Sequence, residues 1–314
     1  MKVIKKNGID YYAYDNLEDA QNELLNLLSI IDDICYENHL NYWIEDGSLI
    51  GCVRHKSFIP WDDDLDIALL KSDYIKLIDL LSKYAQNNNN VALIYNSGTG
   101  VKHCCNYFAS TRFWGLQGNG LIPLKIDIKP FNVIKNDLVT KEDNIRKRRF
   151  ANSVIFDKEF KARLSKSEIS QFLDSYMYDY GINDLSNDCL LSPPYFDYSL
   201  EEPLNYSDIF PLKHSPFGSG KVPIPNGYDK ILHSMYGDYM KLPSLKNRKP
   251  CYKAVYDTKI TGEDLVVVTK SIFEENEVAI MNTWRVYFKY FGISLIVKLL
   301  KFRIVLLFAK FLRK

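Results

Sequence analysis

Residues 47–66 read Gly-Ser-Leu-Ile-Gly-Cys-Val-Arg-His-Lys-Ser-Phe-Ile-Pro-Trp-Asp-Asp-Asp-Leu-Asp, and Ile-Ala-Leu-Leu carries the run on to residue 70. Four carboxylates fall within five positions and lead straight into an apolar segment. The pattern predicts a strand from Asp64 to Leu70. On a strand, residues two apart share a face, so Asp62, Asp64 and Asp66 face one way and Asp63 the other. Like charges this close repel unless a cation neutralises them. An oxygen-only donor set selects a hard ion, Mg²⁺ or Mn²⁺. Divalent ions on carboxylates are a common device for phosphoryl transfer, because they neutralise charge on the attacking and leaving oxygens. The plain alternative is a solvated acidic loop or a helix cap. An EF-hand calcium loop does not fit, because its spacing and terminal Glu are absent.

Upstream, Tyr42-Trp43-Ile44 reads as a short strand, broken at Gly47-Ser48, with a short helix from Leu49 to His55. A turn of small residues lets backbone amides approach a phosphate at a helix start. Downstream, Lys125-Ile126-Asp127-Ile128 sets another acid in an apolar strand, a costly placement unless the acid is paired or metal-bound. Asp127 is therefore a candidate third carboxylate.

Apolar residues recur at helical spacing over 17–39 and 73–85, with Asn16 as a candidate cap of the first helix. Strands are expected at 91–95, 103–113 and 121–134, the last two joined through the glycine-rich 115–120. Residues 141–180 read as mostly helical and 183–226 as a long irregular connection rich in Pro, Asn and Ser. Helix returns at 228–236, residues 244–262 read as loop, and helix dominates from about 271. Strands interleaved with helices predict an α+β fold, a mixed sheet covered by helices.

A Gly-Ser turn, Asp-x-Asp on a strand and a lone Asp on a later strand resemble the nucleotidyltransferase superfamily. More narrowly, GSLIGCVRHKSFIPWDDDLDIAL closely resembles the signature of the LicD family of phosphocholine and polyol-phosphate transferases, which includes relatives of fukutin. Ile126-Asp127-Ile128-Lys129-Pro130 is similar to the family's I-D-I-F-P stretch. Val222–Tyr228 and Met235–Pro243, with Tyr236-Gly237-Asp238, are similar to its later motifs. Lys129 stands in place of Phe, and Asn132 in place of an acid.

The resemblance implies a nucleotidyltransferase-like core and a CDP-activated donor, CDP-choline first. It also implies transfer of the phospho-alcohol to a glycan hydroxyl, with release of CMP. Asp64 and Asp66 are assigned as metal ligands, Asp127 as third ligand or general base, and Asp62 as a further ligand. Gly47 and Ser48 would contact donor phosphate. Arg54 is the candidate phosphate clamp, since a guanidinium matches phosphate bidentately; the alternative is an ion pair with the acids. His55 is a helper or a structural histidine, and Trp61 a stacking platform or a core residue. Asp238 and Tyr236 are candidate substrate contacts, and Lys241 a second clamp. A nucleotidyltransferase proper, releasing pyrophosphate, uses the same acids. A non-catalytic membrane-associated glycan- or cation-binding protein is the alternative outside enzymes.

The chain has 314 residues, 46% of them hydrophobic and 25% charged, an ordinary globular composition that excludes general disorder. The net charge of +1 hides an asymmetry. Residues 281–314 carry eight basic residues and no acid, leaving 32 basic against 39 acidic residues in the rest. A mildly acidic body argues against a nucleic-acid partner. The six cysteines include no C-x-x-C pair, and the N-terminal stretch has no apolar run of signal type, so a cytoplasmic setting with free thiols is expected. The sequon-like Asn205-Tyr206-Ser207 is read as chance.

Residues 284–314, WRVYFKYFGISLIVKLLKFRIVLLFAKFLRK, interleave apolar and basic side chains and hold no charge-free stretch of 18. That fits a helix lying on an anionic membrane surface, on the inner face of the cell membrane. It suits a glycan acceptor that is itself lipid-linked. The expected division is a catalytic domain at 1–280 and the basic helical tail at 281–314.

Overall fold

A computed structural model describes residues 2–6, 9–13, 17–95, 106–117, 120–137, 141–142, 144–145, 189–193, 203–248 and 250. The segment from 251 onward, with the basic tail and the expected helix from 271, lies outside the described residues, as do Asn16 and nearly all of 141–180. Among the described residues no helix is long and apolar enough to cross a membrane.

The described chain runs β1 (Lys2–Lys6), β2 (Ile9–Ala13), α1 (Leu17–Glu37), β3 (Tyr42–Ile44) and α2 (Asp46–Ile50). A single π-turn, Gly51–His55, follows α2. Next come β4 (Leu65–Leu70), α3 (Lys71–Asn87), β5 (Val91–Tyr95), β6 (Asn106–Gln117), β7 (Gly120–Lys135) and β8 (Cys189–Ser192). The described part closes with β9 (Leu204–Asn205), α4 (Tyr206–Ile209), β10 (Lys213–Phe217), β11 (Gly220–Ile224) and α5 (Tyr228–Tyr236). It is a mixed α/β structure. Among the described residues nine strands form one sheet along β1-β2-β6-β7-β4-β3, with β5 on β6, β8 on β7 and β9 on β8, and β10–β11 is a separate hairpin.

The centre of the sheet positions the site. Strands β4 and β7 run parallel, and their register sets Asp66 beside Asp127, Ala68 beside Lys129 and Leu70 beside Phe131. One face, with Leu65, Ile67, Leu69, Ile126 and Ile128, packs on the apolar sides of α1 and α3 in the main core. The other face is divided. At one end Trp43, Ala68, Leu70, Phe131 and Val133 form a second core with Ile209 of α4 and Ile231 of α5. At the other end stand the acids.

Several expectations change in detail. Strand β4 begins at Leu65, so Asp62 and Asp64 precede it, yet the alternation holds, with Asp63 and Leu65 fully buried and Asp62, Asp64 and Asp66 partly open. The helix after β3 begins at Asp46, three residues early, so Gly47 and Ser48 lie inside α2 and do not form a separate turn. Asp46 takes a left-handed φ of 48°, which turns the chain sharply from β3 into the helix.

The stretch 183–226 is not one irregular connection. Where it is described it holds β8, β9, α4 and the β10–β11 hairpin. Its prolines misled the reading, because Pro216 and Pro223 sit on hairpin strands, where a missing N–H is tolerated. The usable signal was Gly218-Ser219, a two-residue hairpin link with Gly218 at φ 59°.

Candidate active site

Two segments clasp the backbone of Asp66. Its N–H donates to Ser48 Oγ at 2.9 Å. Its carbonyl accepts the N–H of Glu45 at 3.1 Å. Ser48 is 2% exposed, so its hydroxyl joins α2 to β4 and fixes Asp66. Helix α1 ties down the loop that carries another of the acids: its Gln21 Nε2 donates to the carbonyl of Asp62 at 2.8 Å. A Cβ on Gly47 would lie 3.4 Å from Asp62 Oδ2, which puts Gly47 against the acids. Gly51 is required for close approach, since a Cβ there would meet the carbonyl oxygen of Ser57 at 2.6 Å.

The carboxylates act on one another. Burial first, then the neighbouring acids, push Asp62 up to about 6 even though a hydrogen bond with Asp64 pulls the other way. Burial raises Asp64 well above the ordinary carboxylate range, with Asp62 and Asp127 adding repulsion. Burial raises Asp66 as well; Lys129 opposes the rise, while Asp46, Asp127 and Asp64 add to it. Asp62, Asp64 and Asp66 therefore feel one another's charge, and Asp127 and Asp46 join them.

Two lysines face this set. Lys125 Nζ bonds Asp127 and lies 3.9 Å from the ring centre of Tyr107. Lys129 Nζ bonds Asp46 and approaches Asp66 Oδ1 to 3.0 Å. Among the described residues no three acids, histidines or cysteines stand in a ready metal-ligand arrangement. The donor set still fits a hard divalent ion, because it is oxygen-only, crowded and short of countercharge. Asp64, Asp66 and Asp127 are the groups that would hold it.

A basic and aromatic group joins the segment between α2 and β4 to the chain that follows α5. Arg54 donates from Nη1 to the carbonyl of Tyr239 and from Nε to His55 Nε2 at 2.9 Å. It does not make the ion pair with the acids that was its alternative reading. Burial, then the charge of Arg248, lowers the pKa of Arg54. Burial, then Arg54, lowers that of His55. A neutral His55 whose Nε2 accepts from Arg54 orients that guanidinium. Trp61 is half-buried against the main core and carries Arg248 Cζ 5.3 Å from its ring centre. Tyr236, the last residue of α5, and Asp238 and Lys241 just past it are exposed, on the segment whose Tyr239 carbonyl receives Arg54.

Sequence reasoning missed Asp46, Gln21 and Arg248, and read Lys125 and Lys129 only as parts of a motif. A period-two reading of β7 would have placed both lysines on the face of Asp127. Asn132 lies five residues past Asp127 on β7, beside Ser192 of β8, and is buried away from the acids.

Acids from a parallel strand pair thus stand together, with Lys125 and Lys129 paired to them. Residues 39–173 match the family described as LicD/FKTN/FKRP, nucleotidyltransferase domain. Residues 39–173 are thus similar to the nucleotidyltransferase domain of the LicD family. The chain is 26% identical over 260 residues to lipopolysaccharide cholinephosphotransferase LicD of Haemophilus influenzae, an alignment covering 74% of this chain and 95% of that one. It is 47% identical over 34 residues to ribitol 5-phosphate transferase FKRP of Homo sapiens, covering 11% of this chain and 7% of that one. An uncharacterized protein of Rickettsia typhi, RT0683, is 36% identical over 98 residues, 25% of this chain and 32% of its own.

Proposed function

We propose that the protein is a metal-dependent phosphotransferase. It moves a phospho-alcohol, phosphocholine first, from a CDP-activated donor to a hydroxyl of a cell-surface or capsular glycan, and CMP leaves. The observation that carries this reading is the register of β4 on β7, which sets Asp66 beside Asp127 with Asp64 in electrostatic reach. The likeness to a cholinephosphotransferase over 95% of that protein's length supports the same class of reaction.

In this reading Asp64, Asp66 and Asp127, with Asp62 beside them, would hold Mg²⁺ or Mn²⁺, which would supply positive charge to offset that of the donor's diphosphate. The chain's own groups do the rest. Lys125 holds one oxygen of Asp127, which leaves Oδ2 to take the proton of the acceptor hydroxyl. The hydroxyl oxygen bonds to the phosphorus that carries the alcohol. The bond from that phosphorus to the bridging oxygen breaks, and CMP departs with the oxygen. Arg54 and Arg248 bind phosphate, Trp61 stacks on the base or the alcohol cation, and Gly47 lets the donor approach. Tyr236, Asp238 and Lys241 contact the acceptor at the outer rim. The core would be of nucleotidyltransferase type, and residues 284–314 would hold the enzyme on an anionic inner membrane surface near a lipid-linked acceptor.

Purified protein incubated with Mn²⁺, a panel of CDP-alcohols and crude glycan should release CMP from one donor, with none from Asp66→Asn. Pyrophosphate in place of CMP would mean nucleotidyl transfer. No metal-dependent product from any nucleotide donor would remove the enzymatic reading. A chain ending at residue 283 should leave the membrane fraction with its ion binding intact, and unchanged fractionation would remove the membrane role of the tail.

A further inference from the structure

Lys129 has no part in the reaction outlined above, yet it occupies the middle of the acid cluster. Its side chain is largely buried, and it joins three elements: β7, which carries it, α2 through Asp46, and β4 through Asp66 at 3.0 Å. A buried ammonium is costly unless paired, and so is a buried carboxylate. Five acids, at 46, 62, 64, 66 and 127, exceed what one divalent ion neutralises. Lys129 stands two residues from Asp127, on the same face of β7, so its ammonium reaches Asp66 from the strand that also presents Asp127.

We infer that Lys129 is a positioning residue, a built-in countercation that holds Asp66 between α2 and β7 and competes with a divalent ion for that carboxylate. The inference rests on reading the acids as an ion site. Without an ion, the lysine keeps the acids together against their repulsion. With one bound, its positive charge nearby weakens the ion's hold and keeps it exchangeable. Lys125 does not duplicate this role, because it pairs with Asp127 and rests on Tyr107.

The test uses the full chain, calorimetric titration with Mn²⁺ alone, and melting in EDTA and in Mn²⁺. Lys129→Met should melt about 5 °C lower in EDTA and bind Mn²⁺ about tenfold more tightly, so Mn²⁺ raises its melting point more than that of the wild type. Lys129→Arg should keep both wild-type values. The double variant Asp46→Asn/Lys129→Met removes one charge of each sign and should regain melting in EDTA, which keeps the test alive if the single variant folds poorly. If the wild type binds Mn²⁺ and Lys129→Met binds it equally tightly, the competition is absent and the inference is wrong. If the wild type binds no Mn²⁺ at all, the ion-site reading fails first, and this inference with it.

Discussion

The two ends of one sheet face carry opposite chemistry. Asp66 and Asp127 are neighbours in register on β4 and β7, Ala68 and Lys129 come next, and then Leu70 and Phe131. Within four residues the face passes from carboxylates to a core closed by Trp43 and the apolar sides of α4 and α5. The backbone pairing is the same at both ends. What differs is the cover: α4 and α5 bury the apolar end, while the acid end meets α2, whose Asp46 and Ser48 are polar. A parallel strand pair thus gives the charges a rigid base, and the neighbouring core fixes that base without touching the chemistry.

If this division is right, changes at the two ends should separate activity from stability. The largest effect is expected for Asp127→Asn. Turnover should fall about 10³-fold, with the melting temperature nearly unchanged; a variant that kept wild-type CMP release would take Asp127 out of the site. Phe131→Ala, four residues along the same strand, should lose about 3–4 kcal/mol of folding stability in denaturant titration. An Asp127→Asn variant as unstable as Phe131→Ala would erase the contrast.

Ser48→Ala sits on the border between the two. It removes the acceptor of the Asp66 N–H and should lower stability by about 1–2 kcal/mol. Its rate should fall more than stability alone explains, because Asp66 is freed. Ser48→Thr should recover part of both, read in the same two assays.

The smallest effect concerns pH. Asp62 is raised to about 6 from an unfolded value near 3.8, so the folded state binds more protons between those limits. In EDTA the melting temperature should therefore fall as pH rises from about 4 to about 6. Asp62→Asn should flatten that slope, and an unchanged slope would show that Asp62 does not report the repulsion in the cluster.

The spacing of Asp62, Asp64 and Asp66 announced one face, and the lone acid in Lys125–Ile128 announced its partner, because period two is a local property of a strand. Helices α1 and α3 were legible because each carries its own apolar period, and strands β3 and β5 because each is a short apolar run. Arg54 was visible as a basic residue beside the acids, but its bond to the Tyr239 carbonyl spans 185 positions and depends on how α5 docks. Pairing of Asp66 with Asp127, the clasp from Ser48, and the lysine between Asp46 and Asp66 are likewise matters of register and contact between distant segments. Local sequence set which residues shared a strand face and which charges needed a partner. Only the tertiary structure decided which partner each received, because pairing across a sheet joins segments whose own periods carry no record of one another.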